Sequence, residues 1–184
     1  MNWESVFDMC YRKAPGATEQ ELESFRDHWN ASLSDEEIVV IKRRQRNPFP
    51  QSNPMHKIYK PFDPSLWFIP DKRLPAAYLD FLRYSNGGEF GNGDRHFQFF
   101  GTDDVRLMML DYEFPEYMPG SVPFAMDGCG HHYAWDMRRG QEDGEYPILV
   151  SHSGNLGYQD AIQIAASFIE LCQGTVSVED LLYG

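Results

Sequence analysis

The sequence LPAAYLDFLRYSNGGEF, residues 74–90, predicts a helix that stops abruptly before a strand. Pro75 suits the first turn of a helix because that position needs no backbone N–H donor. Four apolar side chains then recur at helical spacing and form one stripe: Tyr78, Leu79, Phe81 and Leu82. Gly87 and Gly88 follow and tolerate the left-handed backbone that ends many helices. We therefore expect a helix over Leu74–Ser85 and a structural turn at the two glycines.

The residues after this helix predict short strands joined by tight turns. HFQFFG, residues 96–101, alternates as a strand does, and Thr102 can cap a further helix. Asp127, Gly128 and Gly130 suit a structural hairpin turn. The other expected elements are strands over Val122–Met126, His132–Met137 and Tyr146–Val150, an amphipathic helix from Ile162 through Leu171, and a short last turn with Val178, Leu181 and Leu182. Consecutive strands flanked by helices predict an α+β fold with a largely antiparallel central sheet.

The first part of the chain predicts helices. Apolar residues near the N-terminus recur at helical spacing: Trp3, Val6, Phe7 and Cys10. Two pairs have the form of helix capping boxes: Thr18 with Glu21, and Ser34 with Glu37. The β-branched run Ile38–Ile41 leaves a strand open as the alternative to a second capped helix.

From Asn47 to Pro70, prolines break any long regular element, and five aromatic rings interleave with them. A disordered linker is poorer in aromatic residues. We therefore expect an ordered segment in which the rings of Trp67 and Phe68 dock onto the core.

The charge of the chain narrows the classes of partner. The 184 residues include 28 acidic and 16 basic side chains, for a net charge of −12. Phosphate backbones repel such a chain, so nucleic-acid binding is disfavoured and a basic protein partner is favoured. The basic run at residues 42–46 is interpreted as a solvated helix end, where cations suit the helix dipole. Nucleic-acid contact is the alternative for that run.

The sequence also indicates a compartment. Three scattered cysteines predict neither a disulfide framework nor a zinc site, and Cys10 and Cys172 are expected on apolar helix faces as small core residues. The N-terminus has no signal-peptide pattern, and no apolar run approaches the ~20 residues that span a bilayer. We expect a cytoplasmic protein without membrane contact.

Four residues of the hairpin region are types that bind metals: Asp127, Cys129, His131 and His132. Adjacent side chains on a strand face opposite ways, which does not suit shared ligation. We interpret these residues as turn and strand residues without a metal. No cofactor is expected, because no phosphate-binding glycine motif is present.

Other residue groups leave an enzyme open. A small hydrolase could use the His131/His132 region, with Cys129 as the nucleophile, or the Ser/His pair of His152 and Ser153, although no GxSxG elbow surrounds Ser153. The acidic residues form two groups: Asp103, Asp104, Asp111, Glu113 and Glu116, then Glu142, Asp143 and Glu145. Paired carboxylates can act in glycosidases, and equally they can form a surface that attracts a cationic protein. All acids of these two groups except Asp111 are candidate partner-binding residues.

The order of these motifs resembles a known family. LPAAYLDFLRYSNGGEF resembles the LPxxYxxFLxxxNGG element of the SUKH superfamily, which contains fungal SMI/KNR-type cell-wall-assembly regulators and many bacterial immunity proteins. Further pieces follow in family order: FFG at Phe99–Gly101, the strand–DGxG–strand hairpin at Phe124–Asp136, the strand Tyr146–Val150, and SFIEL at residues 167–171, which is similar to an SFxEFL-type closing helix. The resemblance covers roughly residues 74–174.

The resemblance implies a fold and a function. It implies a single SUKH-like domain over residues 1–184, with an N-terminal elaboration at 1–73, a family-like core at 74–174 and a last turn at 175–184. It also implies a non-enzymatic protein-binding module, and bacterial members often neutralise a cognate toxin, commonly a nuclease. An immunity protein is therefore the leading hypothesis. A small hydrolase and a regulatory scaffold of cell-wall or stress signalling are the alternatives.

Overall fold

A seven-stranded antiparallel sheet forms the centre of the molecule. The computed structural model describes residues 1–184, the side chain of residue 183 excepted. The strands are β1 (Met9–Lys13), β2 (Gly88–Asn92), β3 (Arg95–Phe99), β4 (Ser121–Met126), β5 (His131–Asp136), β6 (Ile148–His152) and β7 (Ile162–Ala165). Each strand pairs antiparallel with the next one along the chain. The predicted α+β class with a central antiparallel sheet is confirmed.

Helices flank this sheet. The described α-helices are α1 (Glu19–His28), α2 (Asp35–Arg44), α3 (Ala76–Tyr84), α4 (Asp104–Asp111), α5 (Phe114–Tyr117), α6 (Phe168–Gln173) and α7 (Val178–Tyr183). Both predicted capping boxes are present, at the starts of α1 and α2. The run Ile38–Ile41 is therefore helical, because its cap and its charged last turn outweigh its β-branched composition.

Helices pack on opposite faces of the sheet. On one face Trp135 of β5 stacks on Phe124 with ring centroids 4.2 Å apart and contacts Tyr78 of α3. Phe168 of α6 joins the same layer, 5.6 Å from Phe124. On the other face the His132 ring lies 4.3 Å from that of Tyr112 and 5.3 Å from that of Phe114. Alternation along a strand puts residues 132 and 135 on different faces, so α3 and α6 cover one face while α4 and α5 cover the other.

The turn after α3 brings β1 onto the sheet. Gly88 has φ 125°, and a Cβ atom there would lie 2.5 Å from the carbonyl oxygen of Arg12. Only glycine permits both that backbone conformation and so close an approach of two chains. β1 therefore pairs with β2 beside this glycine, with Lys13 opposite Gly88.

The N-terminal residues correct the sequence-based prediction. A short 3₁₀ helix at Trp3–Ser5 and the strand β1 replace the expected longer helix. Cys10 is exposed rather than in the core. β1 is an edge strand with all five side chains exposed, so no apolar alternation marks it in the sequence. Trp3 and Phe7 do pack on the core. Their spacing of four residues matches one face of a helix, which explains the incorrect prediction.

The C-terminal residues correct a second prediction. Residues expected to form one amphipathic helix from Ile162 instead form β7, and α6 begins after Ser167, whose hydroxyl accepts the amide of Glu170. Two short elements in succession produced an apolar pattern that one helix would also show. Beyond them, residues 175–184 contain the helix α7 rather than a turn alone.

Two smaller expectations differ from the structure. Thr102 does not cap α4; the N-cap position belongs to Asp103, while the Thr102 hydroxyl accepts a hydrogen bond from Asn86. Trp67 packs against the core, but Phe68 is 60% exposed and does not dock. The segment that carries both rings is held in part by the Trp67 indole, which donates to Glu116 at 2.8 Å.

Candidate functional site

The predicted acids lie in two separate regions. Asp103, Asp104, Glu113 and Glu116 lie at the ends of α4 and on α5, on the sheet face that these two helices cover. Glu142, Asp143 and Glu145 lie in the β5–β6 connection. The carboxylate of Glu145 accepts the amide of Phe168 at the start of α6, which places this group beside the opposite face. The two groups therefore lie on different elements, beside opposite faces of the sheet.

Several of these carboxylates have internal partners. Asp104 accepts the amide of Gly101 at 3.2 Å, and Glu116 accepts the indole N–H of Trp67. Glu145 is bound to the first turn of α6, and burial raises the pKa of its carboxyl. These three side chains support the fold directly, so they are less free than the others to meet a partner.

Glu113 lies in an unusual environment. Its backbone is left-handed, with φ 58°, a conformation that costs a non-glycine residue free energy. Burial, and next the neighbouring charge of Glu116, raises the pKa of its carboxyl. Glu113 and Tyr117 line a cavity of about 510 Å³ together with Asp111 and Ser153. Negative charge is therefore concentrated where burial and a like charge make it unfavourable.

Exposed apolar side chains lie among these acids. Leu107 on α4 is 47% exposed and Tyr117 on α5 is 49% exposed. We define the α4–α5 surface as Asp103, Leu107, Asp111, Glu113, Glu116 and Tyr117. Large exposed apolar groups ringed by charge are a feature of protein-binding surfaces.

Sequence reasoning missed the apolar members of this surface. Asp103, Leu107 and Asp111 follow each other at intervals of four residues, so they share one face of α4. An apolar residue between two acids on one helical face was a signal for an exposed, partially apolar surface. Tyr117 carried no comparable signal, because its exposure depends on how α5 packs on β4.

The stability of the protein should reveal the unfavourable charge at Glu113. A carboxyl whose pKa is raised by folding favours the folded state at low pH, and it loses that advantage as pH rises through the folded pKa. Glu113→Gln should therefore raise the free energy of unfolding at neutral pH, by less than about 1 kcal/mol because solvent screens a half-exposed group. Urea unfolding at neutral pH and at about pH 4 measures this gain, which should shrink at the lower pH.

Glu142→Gln is the matched control, since Glu142 is exposed in the β5–β6 connection. It should leave the unfolding free energy within about 0.5 kcal/mol of the wild-type value. A Glu113→Gln variant that is less stable than the wild type at neutral pH would contradict the account of Glu113.

The Asp127 carboxylate forms its hydrogen bonds within the hairpin turn. One Asp127 carboxylate oxygen accepts the amides of Cys129 and His131 at 2.8 and 2.9 Å, and the other lies 2.7 Å from His131 Nδ1. Gly128 and Gly130 have φ values of 79° and 105°. In the part of the chain that the structure describes, no three His, Cys, Asp or Glu side chains form a group suited to a metal ion. The Asp127 carboxylate is thus engaged within the turn, by two backbone amides and by the His131 ring.

The structure does bring together a serine and a histidine. Ser153 Oγ lies 2.9 Å from His132 Nδ1, but it also donates to the carbonyl of Gly130 at 2.7 Å. Because the hydroxyl has a single proton, that bond leaves Nδ1 as the donor to Ser153. Among the described residues, His132 Nε2 has no hydrogen-bond partner, so no carboxylate orients the ring as in a catalytic triad. Burial lowers the pKa of His132 to about 4.

Part of the basic run at residues 42–46 is paired within the chain. Lys42 pairs with Asp63 at 2.9 Å, and Arg44 pairs with Asp111 of α4. These cations lie in the last turn of α2, where the helix dipole favours them. The arrangement supports the interpretation of a solvated helix end.

Comparisons with known proteins identify the family. The model of the SMI1 / KNR4 family (SUKH-1) matches residues 71–174, which span α3 through α6. The curated proteins compared with the chain include no match. Among the described residues, none of the helices has the length and apolar character to span a membrane. A match over more than half of the sequence shows that the chain belongs to the SMI1 / KNR4 (SUKH-1) family.

Proposed function

We propose that this protein is a non-enzymatic, cytoplasmic immunity protein that binds and neutralises a basic toxin domain, such as a nuclease. The observation that carries the proposal is the α4–α5 surface, where the acids Asp103, Glu113 and Glu116 lie on the same two helices as the exposed side chains of Leu107 and Tyr117. Family membership is compatible with an immunity protein and with a cell-wall regulator. The acidic surface favours the first role, because toxins that act on nucleic acid carry excess positive charge.

The net charge of −12 supports a steered encounter. A basic partner is attracted over distances of about one Debye length, ~10 Å at 0.1 M salt, and faster association follows. Exposed apolar anchors then supply the contacts that hold the complex. The α4–α5 surface combines both kinds of group.

The cost of Glu113 supports the same role. Its left-handed backbone forms the turn from α4 into α5, where its carbonyl accepts the amides of Glu116 and Tyr117, but its crowded negative charge reduces stability. Strain of this kind often marks functional sites. A basic side chain of the partner would offset the unfavourable negative charge of Glu113, so this charge would favour binding.

The Ser153–His132 pair supports hydrolysis poorly. Ser153 is engaged with the Gly130 carbonyl, and the His132 ring lies against the rings of Tyr112, Phe114 and Phe100. A nucleophile needs a free hydroxyl beside an oriented base. The pair serves better as a link between β5 and the loop that follows β6.

Charge reversal on the α4–α5 surface should slow association with the toxin. The test partner would be a toxin domain encoded by a gene neighbouring that of this chain, and the measurement is association kinetics at several salt concentrations. The combined variant Asp103→Lys and Glu113→Lys, which leaves the contact between Glu116 and Trp67 intact, should reduce the on-rate about tenfold at low salt, with a smaller change in the off-rate. The wild-type on-rate should fall as salt rises.

The control variant reverses the same number of charges at exposed residues elsewhere: Glu4→Lys and Glu23→Lys. Both variants have the same net charge, so a smaller effect of the control locates the interaction on the α4–α5 surface. Equal effects of the two variants would show that only net charge matters. A salt-independent on-rate that neither variant changes would show that the acidic residues only keep the protein soluble.

A further inference from the structure

A groove lies between α2 and α4 and shares Asp103, Leu107 and Asp111 with the α4–α5 surface. Its volume is about 560 Å³, and its apolar lining includes Val40, Ile41, Leu107 and Leu110. Val40 is 42% exposed and Leu107 is 47% exposed, whereas Ile41 and Leu110 are buried. Each helix therefore leaves apolar side chains uncovered on the side that faces the groove.

Ion pairs join α2 and α4 at both ends of the groove. Near the starts of the two helices, Arg106 of α4 donates to Glu37 of α2 at 2.8 and 2.9 Å. Near their ends, Arg44 of α2 pairs with Asp111 of α4. The two pairs are seven residues apart on α2, which corresponds to about 10 Å along the helix. Arg106 is fixed further by the carbonyls of Trp29 and Ala31, so this end of the groove is formed before a ligand arrives.

The charged lining of the groove is acidic overall. It contains four carboxylates and two arginines: Glu36, Glu37, Asp103 and Asp111, with Arg44 and Arg106. The two arginines are matched by Glu37 and Asp111. Glu36 and Asp103 have no cationic partner among the described residues. Two unmatched negative charges therefore flank an apolar floor.

We propose that this groove receives an amphipathic helix of the basic partner, with one bulky aliphatic side chain over Val40 and Leu107 and with Lys or Arg residues facing Glu36 and Asp103. The inference rests on the proposed function and specifies where the partner docks. Helices bind grooves in this way by placing an apolar stripe on the floor. Flanking cations complete the match, because the charge of the lining is complementary to them.

Charge disfavours a second copy of this chain as the occupant. Each copy carries a net charge of −12, and a symmetric dimer through the groove would place the unmatched acids of one copy near those of the other. Like charges that face each other across an interface weaken it. An apolar side chain flanked by cations meets no such repulsion.

A peptide probe tests the groove without the toxin. The probe is a helical peptide of about 18 residues, five turns, with Leu at every third or fourth position and Lys or Arg between them. A shuffled peptide of the same composition lacks the stripe. Amide NMR shifts of the full chain should change along α2 and α4, and the striped peptide should bind about tenfold more tightly than the shuffled one. Equal binding of both, or shifts confined to other elements, would overturn the proposal.

Leu107→Asn tests the same site without a change of charge. Its control is Leu181→Asn on α7, a leucine that is 43% exposed. Leu107→Asn should weaken the binding of both the striped peptide and the toxin about tenfold or more. Leu181→Asn should change the binding of either one less than twofold. Toxin bound by Leu107→Asn as tightly as by the wild type would refute the groove and remove Leu107 from the binding surface, whereas binding of the toxin by the wild type would still support the proposed immunity role. Failure of the wild-type chain to bind toxin would refute the proposed function itself, while the peptide still reports on the groove. A wild-type dimer that Leu107→Asn converts to a monomer would show that a second copy is the occupant.

Discussion

Replacing Phe81 with alanine should lower the free energy of unfolding by about 3–5 kcal/mol. Phe81 on α3 is completely buried, and six aromatic rings have centroids within 6.3 Å of its own: Trp3, Phe7, Tyr84, Phe90, Phe99 and Phe168. Removing the ring loses apolar burial and leaves a cavity that rigid neighbours fill poorly. Urea unfolding, monitored by the fluorescence of the buried tryptophans, measures the loss.

Phe68→Ala is the control, because it removes the same ring from a side chain that is 60% exposed. That variant should change the unfolding free energy by less than about 0.5 kcal/mol. A loss below about 1 kcal/mol for Phe81→Ala would mean that the surrounding rings close the cavity. Trp3 and Phe7 precede the family-matched region, whereas Phe81 lies within it. We therefore propose that residues 1–73 fold together with residues 74–174 as one domain.

Acidification should destabilise the protein through His132 by about 3 kcal/mol between pH 6.5 and pH 4. Burial lowers the pKa of this histidine from 6.5 to about 4, while Asp127 and His131 have smaller and opposite effects on it. The unfolded chain binds a proton at His132 below pH 6.5, but the folded chain does so only near pH 4. Stability that is fully present above pH 6.5 is therefore lost as pH falls through this window.

The measurement is urea unfolding at several pH values for the wild type and for His132→Asn. The variant loses the contact with Ser153, so it should be less stable than the wild type at neutral pH. Its stability should nevertheless fall less steeply between pH 6.5 and 4, because the titrating group is gone. Parallel pH profiles for the two proteins would show that His132 titrates alike in the folded and unfolded chains.

The α4–α5 surface illustrates how far a sequence can indicate a site. The charges of Asp103, Glu113 and Glu116 were predicted as candidates from composition and position. Their relation to Leu107 and Tyr117 was not, because exposure depends on which helix faces the sheet covers. The α2–α4 groove was beyond sequence reasoning altogether, since it is formed by two helices joined by ion pairs between residues 37 and 106 and between residues 44 and 111.

The two misassigned elements share one cause. β1 is an exposed edge strand, and β7 is a strand of four residues that leads directly into a short helix. Periodicity identifies an element when one face is buried over several turns or residues. Neither strand is long or amphipathic enough for that signal, so pairing with β2 and β6 decides their structure.

The sequence by itself determined the α+β class, the capped starts of α1 and α2, the glycine turn after α3 and the hairpin of β4 and β5. Each of these depends on hydrogen bonds and backbone preferences within a few neighbouring residues, as in the bond between Ser34 and Glu37. Tertiary structure alone decided the strands β1 and β7, the pairing of Ser153 with His132 and the groove between α2 and α4. Those features join residues as far apart as Glu37 and Arg106, 69 positions along the chain. Such contacts form only when the whole core packs, because no local interaction favours them in advance.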